Sequence, residues 1–229
     1  MEVAYTLNRR LYPYLLPSIM SLLKYNEVKK IWILAEDEEL PYSLPEECEV
    51  IKVDPADYLD PTSANYNSRW TPFCLVRVAT PRIIPSDRVL QLDVDTIICD
   101  SLLPIWELDM GDNLFAMVNE KNGKYKSLDG RYFNAGVTLW NLKQIREEHI
   151  DSELIELVNV RPLNFPDQDA INMVALGRII ELNMRYNECF VTGETKSPAI
   201  VHYASFGAWW ESYTPRYEWY AKWKQFEQN

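Results

Sequence analysis

Apolar positions in this chain fall into short runs divided by polar, turn-rich stretches, and two periodicities alternate along it. Residues 3–6 (VAYT), 30–35 (KIWILA) and 49–53 (EVIKV) are brief apolar or alternating runs that predict strands. Between the first two, Leu15, Ile19, Leu22 and Leu23 recur at helical spacing within residues 11–25, with Pro13 suited to a first turn and Pro17 one turn inside. Strand, helix, strand, loop, strand predicts an α/β sheet. Ligands in such sheets sit beyond the carboxyl ends of the strands, here near Tyr5, Thr6 and Asn8.

Residues 54–70 are polar and predict a surface loop. Thr71-Pro72 then reads as the N-cap and first position of a helix reaching about Ala79, with Pro81 and Pro85 bracketing a turn. Arg77 lies on that helix. Further on, residues 114–118 (LFAMV) predict a strand, and so do residues 132–140 (YFNAGVTLW), interrupted at Asn134-Ala135-Gly136. A glycine inside a strand marks a bulge or a close approach to the backbone. Asn141 with Gln144 resembles a capping box for a helix carrying Ile145, Leu154, Leu157 and Val158, with His149 on its solvated part. Pro166-Asp167-Gln168-Asp169 heads a helix ending at Gly177, and residues 178–182 and 199–203 are the last predicted strands.

One stretch draws these pieces together. Val89, Leu90 and Leu92 predict a buried strand that runs into Asp93-Val94-Asp95, after which residues 96–99 resume a β-like run. On a continuous strand Asp93 and Asp95 share a face while Val94 points into the core. Two such carboxylates repel unless a cation sits between them, and hard oxygen ligands favour Mg²⁺ or Mn²⁺. A solvated strand end produces the same Asp-x-Asp spacing.

Composition narrows the classes. The chain has 229 residues, 47% hydrophobic and 25% charged, which suits a soluble globular domain. Its net charge of −11 argues against a nucleic-acid partner while leaving room for a nucleotide whose phosphates meet a metal. The four cysteines (Cys48, Cys74, Cys99, Cys189) have no metal-ligand or redox spacing. Residues 1–30 show no signal peptide and no run approaches the length of a membrane span, so a cytoplasmic protein with free thiols is expected.

The order and wording of the motifs resemble glycosyltransferase family 8, whose members include glycogenin and bacterial lipo-oligosaccharide galactosyltransferases. The resemblance rests on AYTLN at the start, Arg77, VLQLDVD, DSLLPIWELDMGDN, YFNAGVTLWNL, PDQDAIN, and VHYA followed by Trp210. It implies an α/β GT-A fold over residues 1–210, with a mixed, mainly parallel central sheet flanked by helices. It also implies retaining transfer of a hexose, glucose or galactose, from a UDP-sugar to a saccharide or glycolipid acceptor. By the same resemblance Asp93, Asp95 and a neutral His202 hold Mn²⁺, with Mg²⁺ as the alternative. Ala4, Tyr5, Thr6 and Asn8 then cradle the uridine, and Arg77 and Val94 contact the donor. Asn134, Ala135, Gly136 and Asp167 surround the donor sugar, and Glu120 faces the acceptor.

Gln168 matches the position beside the sugar where a nucleophile belongs. An amide is a poor nucleophile, so front-face transfer is expected, with a covalent intermediate on Asp169 as the alternative. Three departures from the family pattern stand out: Thr6 in place of an aspartate, Ser205 in place of a glycine, and Ala208 in place of a phosphate-binding lysine, for which Lys196 could substitute. A catalytically inactive UDP-sugar binder, a nucleotidyltransferase or phosphohydrolase, and a self-glucosylating enzyme are the competing functions. In the tail, residues 211–229, Trp219, Trp223 and Phe226 form one stripe if helical. That stripe either packs on the catalytic domain or makes peripheral membrane contact.

Overall fold

The computed structural model describes residues 1–126 and 129–204. Strands β1 (Glu2–Leu7), β2 (Lys30–Ala35), β3 (Cys48–Lys52) and β4 (Val89–Leu92) are followed by the short β5 (Thr96–Ile98). Then come β6 (Phe115–Asn119), β7 (Phe133–Trp140), β8 (Ile179–Glu181) and β9 (Ile200–His202). Seven of them form one sheet in the order β3-β2-β1-β4-β7-β6-β8, and β5 pairs with β9 in a small second sheet. The first four strands are mutually parallel, β7 runs antiparallel to β4 and β6, and β8 is parallel to β6. The expected mixed, mainly parallel α/β sheet is therefore what the chain adopts.

Alternation along β1 explains how the sheet is covered. Val3, Tyr5 and Leu7 face a core with α1 (Tyr12–Tyr25), while Ala4 faces the opposite core. The helices are α1, α2 (Pro72–Val76), α3 (Thr80–Ile83), α4 (Leu103–Trp106), α5 (Leu142–Glu147), α6 (Ile150–Val160) and α7 (Pro166–Val174). Phe115 and Trp140 meet edge to face at 4.7 Å between centroids in the core beneath α5 and α6. All eight residues of β7 are buried; Asn134 and Thr138 find partners inside the protein, whereas Trp140 Nε1 has none among the described residues.

Helix α1 settles a boundary the sequence leaves open, and two local expectations are corrected. The helix runs on through Pro17, which is buried, although an interior proline forfeits a backbone hydrogen bond. Pro81 does not start a turn: it lies in the first turn of α3, which continues from α2 through a 3-10 turn over Arg77–Ala79. The single helix expected from Asn141 onward is two, because His149 takes left-handed geometry at φ 60° and breaks it. Asn141 caps the first, accepting from the Gln144 N–H at 3.4 Å.

Candidate active site

The centre of the site is a turn. Asp93, Val94 and Asp95 do not continue β4; they form a turn between β4 and β5, so the carboxylates are brought together by a turn rather than by strand alternation. Val94 is buried as expected. The Asp93 N–H donates to the Gly136 carbonyl at 2.8 Å, and the Thr96 hydroxyl donates to the Asp93 carbonyl at 2.8 Å. Thr96 Oγ1 is in turn 3.0 Å from Ser18 Oγ on α1, which bonds the Tyr5 hydroxyl at 2.9 Å.

His202 arrives from the far end of the chain because β9 pairs with β5, placing His202 opposite Thr96. The Tyr203 N–H donates to the Asp95 carbonyl at 2.8 Å and clamps the register. Its imidazole Nε2 then lies 3.4 Å from Asp93 Oδ2 and 3.3 Å from Asp95 Oδ1. Burial disfavours a charged imidazole, but the Asp95 charge and hydrogen bonds to both carboxylates outweigh it and hold the pKa well above the ordinary value. These groups attract a proton as they would a metal, and a metal would compete with that proton for Nε2, leaving the neutral ring expected of a ligand.

Ligand atoms of Asp93, Asp95 and His202 all lie within 4.8 Å of one another. Two carboxylates and an imidazole suit a divalent cation that accepts both oxygen and nitrogen, Mn²⁺ more readily than Mg²⁺. Gly136 completes the fit. A Cβ there would lie 2.1 Å from His202 Cε1 and 2.9 Å from Asp93 Oδ2, so only a glycine lets β7 pass this close to two of the three candidate ligands. The glycine sits in a bulge, where pairing of β6 with β7 shifts between Met117 and Val118.

Arg77 joins this cluster to α7. Its guanidinium is buried, ion-paired to Asp93, 3.1 Å from Asp167 Oδ2, and donates to the Ala135 carbonyl at 3.0 Å. Burial would raise the Asp93 carboxyl; Arg77 and His202 overcome this and hold it well below the usual range. Asp167, also buried, is pushed above its ordinary value, Arg77 opposing the shift and Asp93 adding to it.

Gln168 on α7 is locked from both sides. Its Oε1 accepts from the Ala135 N–H at 2.9 Å, and its Nε2 donates to Glu120 Oε1 at 3.1 Å. Glu120 also accepts from Asn134 Nδ2 at 2.9 Å and is buried, which pushes its carboxyl above the ordinary value. Glu120 Oε1 thus serves two side-chain amides, Asn134 Nδ2 and Gln168 Nε2. Asp169 is likewise occupied. Its Oδ2 accepts from the Asn164 and Phe165 N–H groups at 2.9 and 3.0 Å, and its Oδ1 from the Tyr132 hydroxyl.

The uridine residues are more dispersed. Tyr5 is fully buried in the core on the α1 side, so its ring is not a surface for a base. Ala4 is buried on the opposite face, and Thr6 accepts from Gln91 Nε2 at 3.0 Å. Asn8, just after β1, has its Oδ1 buried with no hydrogen-bond partner among the described residues, an acceptor left for a ligand to satisfy. Lys196 is exposed. Ser205, Ala208, Trp210 and the tail stripe of Trp219, Trp223 and Phe226 lie outside the described residues. Asn187, Tyr132 and Ser18 take part in this network without having been singled out from the sequence. Each is a common polar residue in a short segment, with no spacing to mark it.

A mixed sheet whose central strand ends in a carboxylate turn, completed by a histidine from a small second sheet, is the architecture of the GT-A nucleotide-diphospho-sugar transferases. The chain superposes on galactosyltransferase LgtC, solved with donor and acceptor sugar analogues, with a TM-score of 0.72 at 24% identity, covering 97% of this chain and 100% of that one. Residues 2–212 match the family described as "Glycosyl transferase family 8", and the chain belongs to that family. General stress protein A of Bacillus subtilis is 25% identical over 181 residues, covering 72% of this chain and 61% of its own length. The lipopolysaccharide glucosyltransferase WaaO of Escherichia coli is 26% identical over 226 residues, covering 81% of this chain and 65% of its own length. The chain thus spans less than two thirds of the length of these two relatives. Among the described residues no helix is long and apolar enough to cross a membrane.

Proposed function

We propose that this protein transfers a hexose, glucose or galactose, from a UDP-sugar to a hydroxyl of a saccharide or glycolipid acceptor, with retention at the anomeric carbon. The observation that carries it is the meeting of Asp93, Asp95 and His202 at the end of the central strand, joined through Arg77 to the α7 turn that bears Asp167 and Gln168. A divalent cation held by those three residues, Mn²⁺ foremost and Mg²⁺ as the alternative, supplies charge stabilisation to the departing diphosphate. Arg77 holds Asp93 and Asp167 in place and keeps both carboxylates compensated while buried. Asn134, Ala135, Gly136 and Asp167 border the donor sugar, and Asn8 meets the uridine.

The Gln168 carbonyl keeps one lone pair beyond its bond to the Ala135 N–H, and that lone pair stabilises positive charge developing on the sugar. The bond from C1 to the β-phosphate oxygen breaks, a bond from C1 to the acceptor oxygen forms on the same face, and the acceptor proton passes to the departing phosphate. The front-face route is favoured over a covalent one because both oxygens of Asp169 are already hydrogen-bonded. In this proposal residues 1–210 form the catalytic unit and 211–229 a separate tail.

Release of UDP from a panel of nucleotide sugars, with and without Mn²⁺, tests the proposal against an Asp95→Ala control. Metal-dependent UDP release from one sugar, absent in the variant, is expected. Release of UMP would make the protein a phosphohydrolase, and UDP binding without turnover on any acceptor would make it an inactive binder.

A further inference from the structure

The amides behind the site are connected in a single direction. The Gly136 N–H donates to Asn134 Oδ1 at 3.0 Å, and Asn187 Nδ2 donates to the same oxygen at 2.8 Å. Since Asn134 Oδ1 is pinned as the acceptor by a backbone N–H, Asn134 Nδ2 must face the Glu120 carboxylate, as it does. Since Asn187 turns its Nδ2 to Asn134, its Oδ1 must face His202 Nδ1, 2.8 Å away. A carbonyl oxygen only accepts, so Nδ1 carries the proton. Flipping any one of these amides sets donor against donor or acceptor against acceptor. Asn187 is fully buried and Asn134 nearly so, which leaves water no part in relieving such a mismatch.

We infer that Asn187 is the positioning residue of the metal site. It holds His202 with the proton on Nδ1 and Nε2 turned toward Asp93 and Asp95, and through Asn134 and Glu120 it ties that orientation to the Gln168 amide. The polarity of the relay originates in the Gly136 N–H at one end and the Ala135 N–H at the other, both on β7. Partners that orient a ligating histidine in this way typically contribute about 10- to 100-fold in metal affinity. The inference rests on the proposed metal site in one respect, that Nε2 is the atom offered to the ion.

The test uses the full chain, which contains only two histidines, His149 and His202, so its ring ¹⁵N spectrum is readily assigned. In metal-free protein, wild type is expected to show a slowly exchanging His202 Nδ1–H, lost in Asn187→Ala and kept in Asn187→Asp, which retains an acceptor for it while setting a second oxygen against Asn134 Oδ1 at a cost in melting temperature. Calorimetric titration with Mn²⁺ alone is expected to show affinity reduced about 10-fold or more in Asn187→Ala and largely kept in Asn187→Asp. A packing role would weaken both variants alike, in step with melting temperature. Wild-type affinity and an unchanged Nδ1–H signal in a folded Asn187→Ala protein would overturn the inference. Unchanged Mn²⁺ binding in Asp95→Ala, or none in wild type, would instead bring down the metal site, and the exchange of the Nδ1 proton would then decide the role of Asn187 by itself.

Discussion

Replacing Gly136 by alanine adds one methyl group at the point where β7 passes the three candidate ligands. The new Cβ would lie 2.1 Å from His202 Cε1, 2.7 Å from His202 Nδ1 and 2.9 Å from Asp93 Oδ2. Comfortable contact between carbons begins near ~3.5 Å, so the imidazole would have to retreat by about 1.4 Å or β7 would have to move. Neither is easy. His202 is almost wholly buried and tied at Nδ1 to Asn187 at 2.8 Å, while the Gly136 carbonyl accepts from the Asp93 N–H at 2.8 Å. Gly136 is not among the residues with positive φ, so alanine brings no backbone strain of its own and the effect reports the clash alone. Overpacking of this kind costs about 1–3 kcal/mol of stability. Displacement of a ligand by roughly 1 Å is worth on the order of 10²-fold in turnover. Thermal unfolding, Mn²⁺ titration and UDP release on the same preparation would measure all three. A Gly136→Ala protein with wild-type stability and wild-type Mn²⁺ affinity would refute the claim that this glycine exists to make room for the ligands.

Three further outcomes follow from the same geometry. Arg77→Met removes the one cationic partner that the part-buried Asp167 has among the described residues and leaves Asp93 to His202 alone, and should cost up to about 3–5 kcal/mol in urea unfolding. Because Asp167 already titrates above its ordinary value and would rise further without Arg77, the loss should be largest at neutral and alkaline pH. It should shrink as the pH falls and Asp167 takes up a proton. Asp169→Ala strands the buried Tyr132 hydroxyl and two N–H groups at the start of α7, with an expected loss of about 1–3 kcal/mol. A trapped sugar on Asp169 in wild-type protein, seen by mass spectrometry, would contradict that structural role. Hydrogen bonds from Arg178 and Gln144 hold Glu148 down to about 2. Its contribution is therefore present above the unfolded carboxylate range and lost as pH falls toward that value, so Glu148→Gln should flatten the acid limb of the stability curve.

The alternation of periods along the chain was enough to predict the strands of the sheet and its α/β class, because burial of one face or two is written locally in every run. KIWILA illustrates this: it can sit only where both faces are covered, and β2 occupies those same six residues. Asp93, Asp95 and His202 are legible as candidate ligands through the order of the family motifs. What decided their convergence is a turn and the pairing of β5 with β9, neither of which has a local periodicity. Pro81 and His149 were misread for a related reason. Pro81 continues a helix and His149 breaks one, and neither outcome has a local periodicity to mark it.

The sequence by itself determined which residues could be strands, which helix starts carried acidic side chains, and which polar types were available for chemistry. Only the tertiary structure decided their partners. Glu120 became a support for Gln168 and Asn134, Asp169 a cap with a tyrosine partner, and Asn187 the acceptor for a histidine fifteen residues on. Hydrophobic burial is non-directional and leaves a period in the chain, whereas a hydrogen bond joins two atoms at one distance and angle. Which atoms meet is known only once the strands that carry them have been paired.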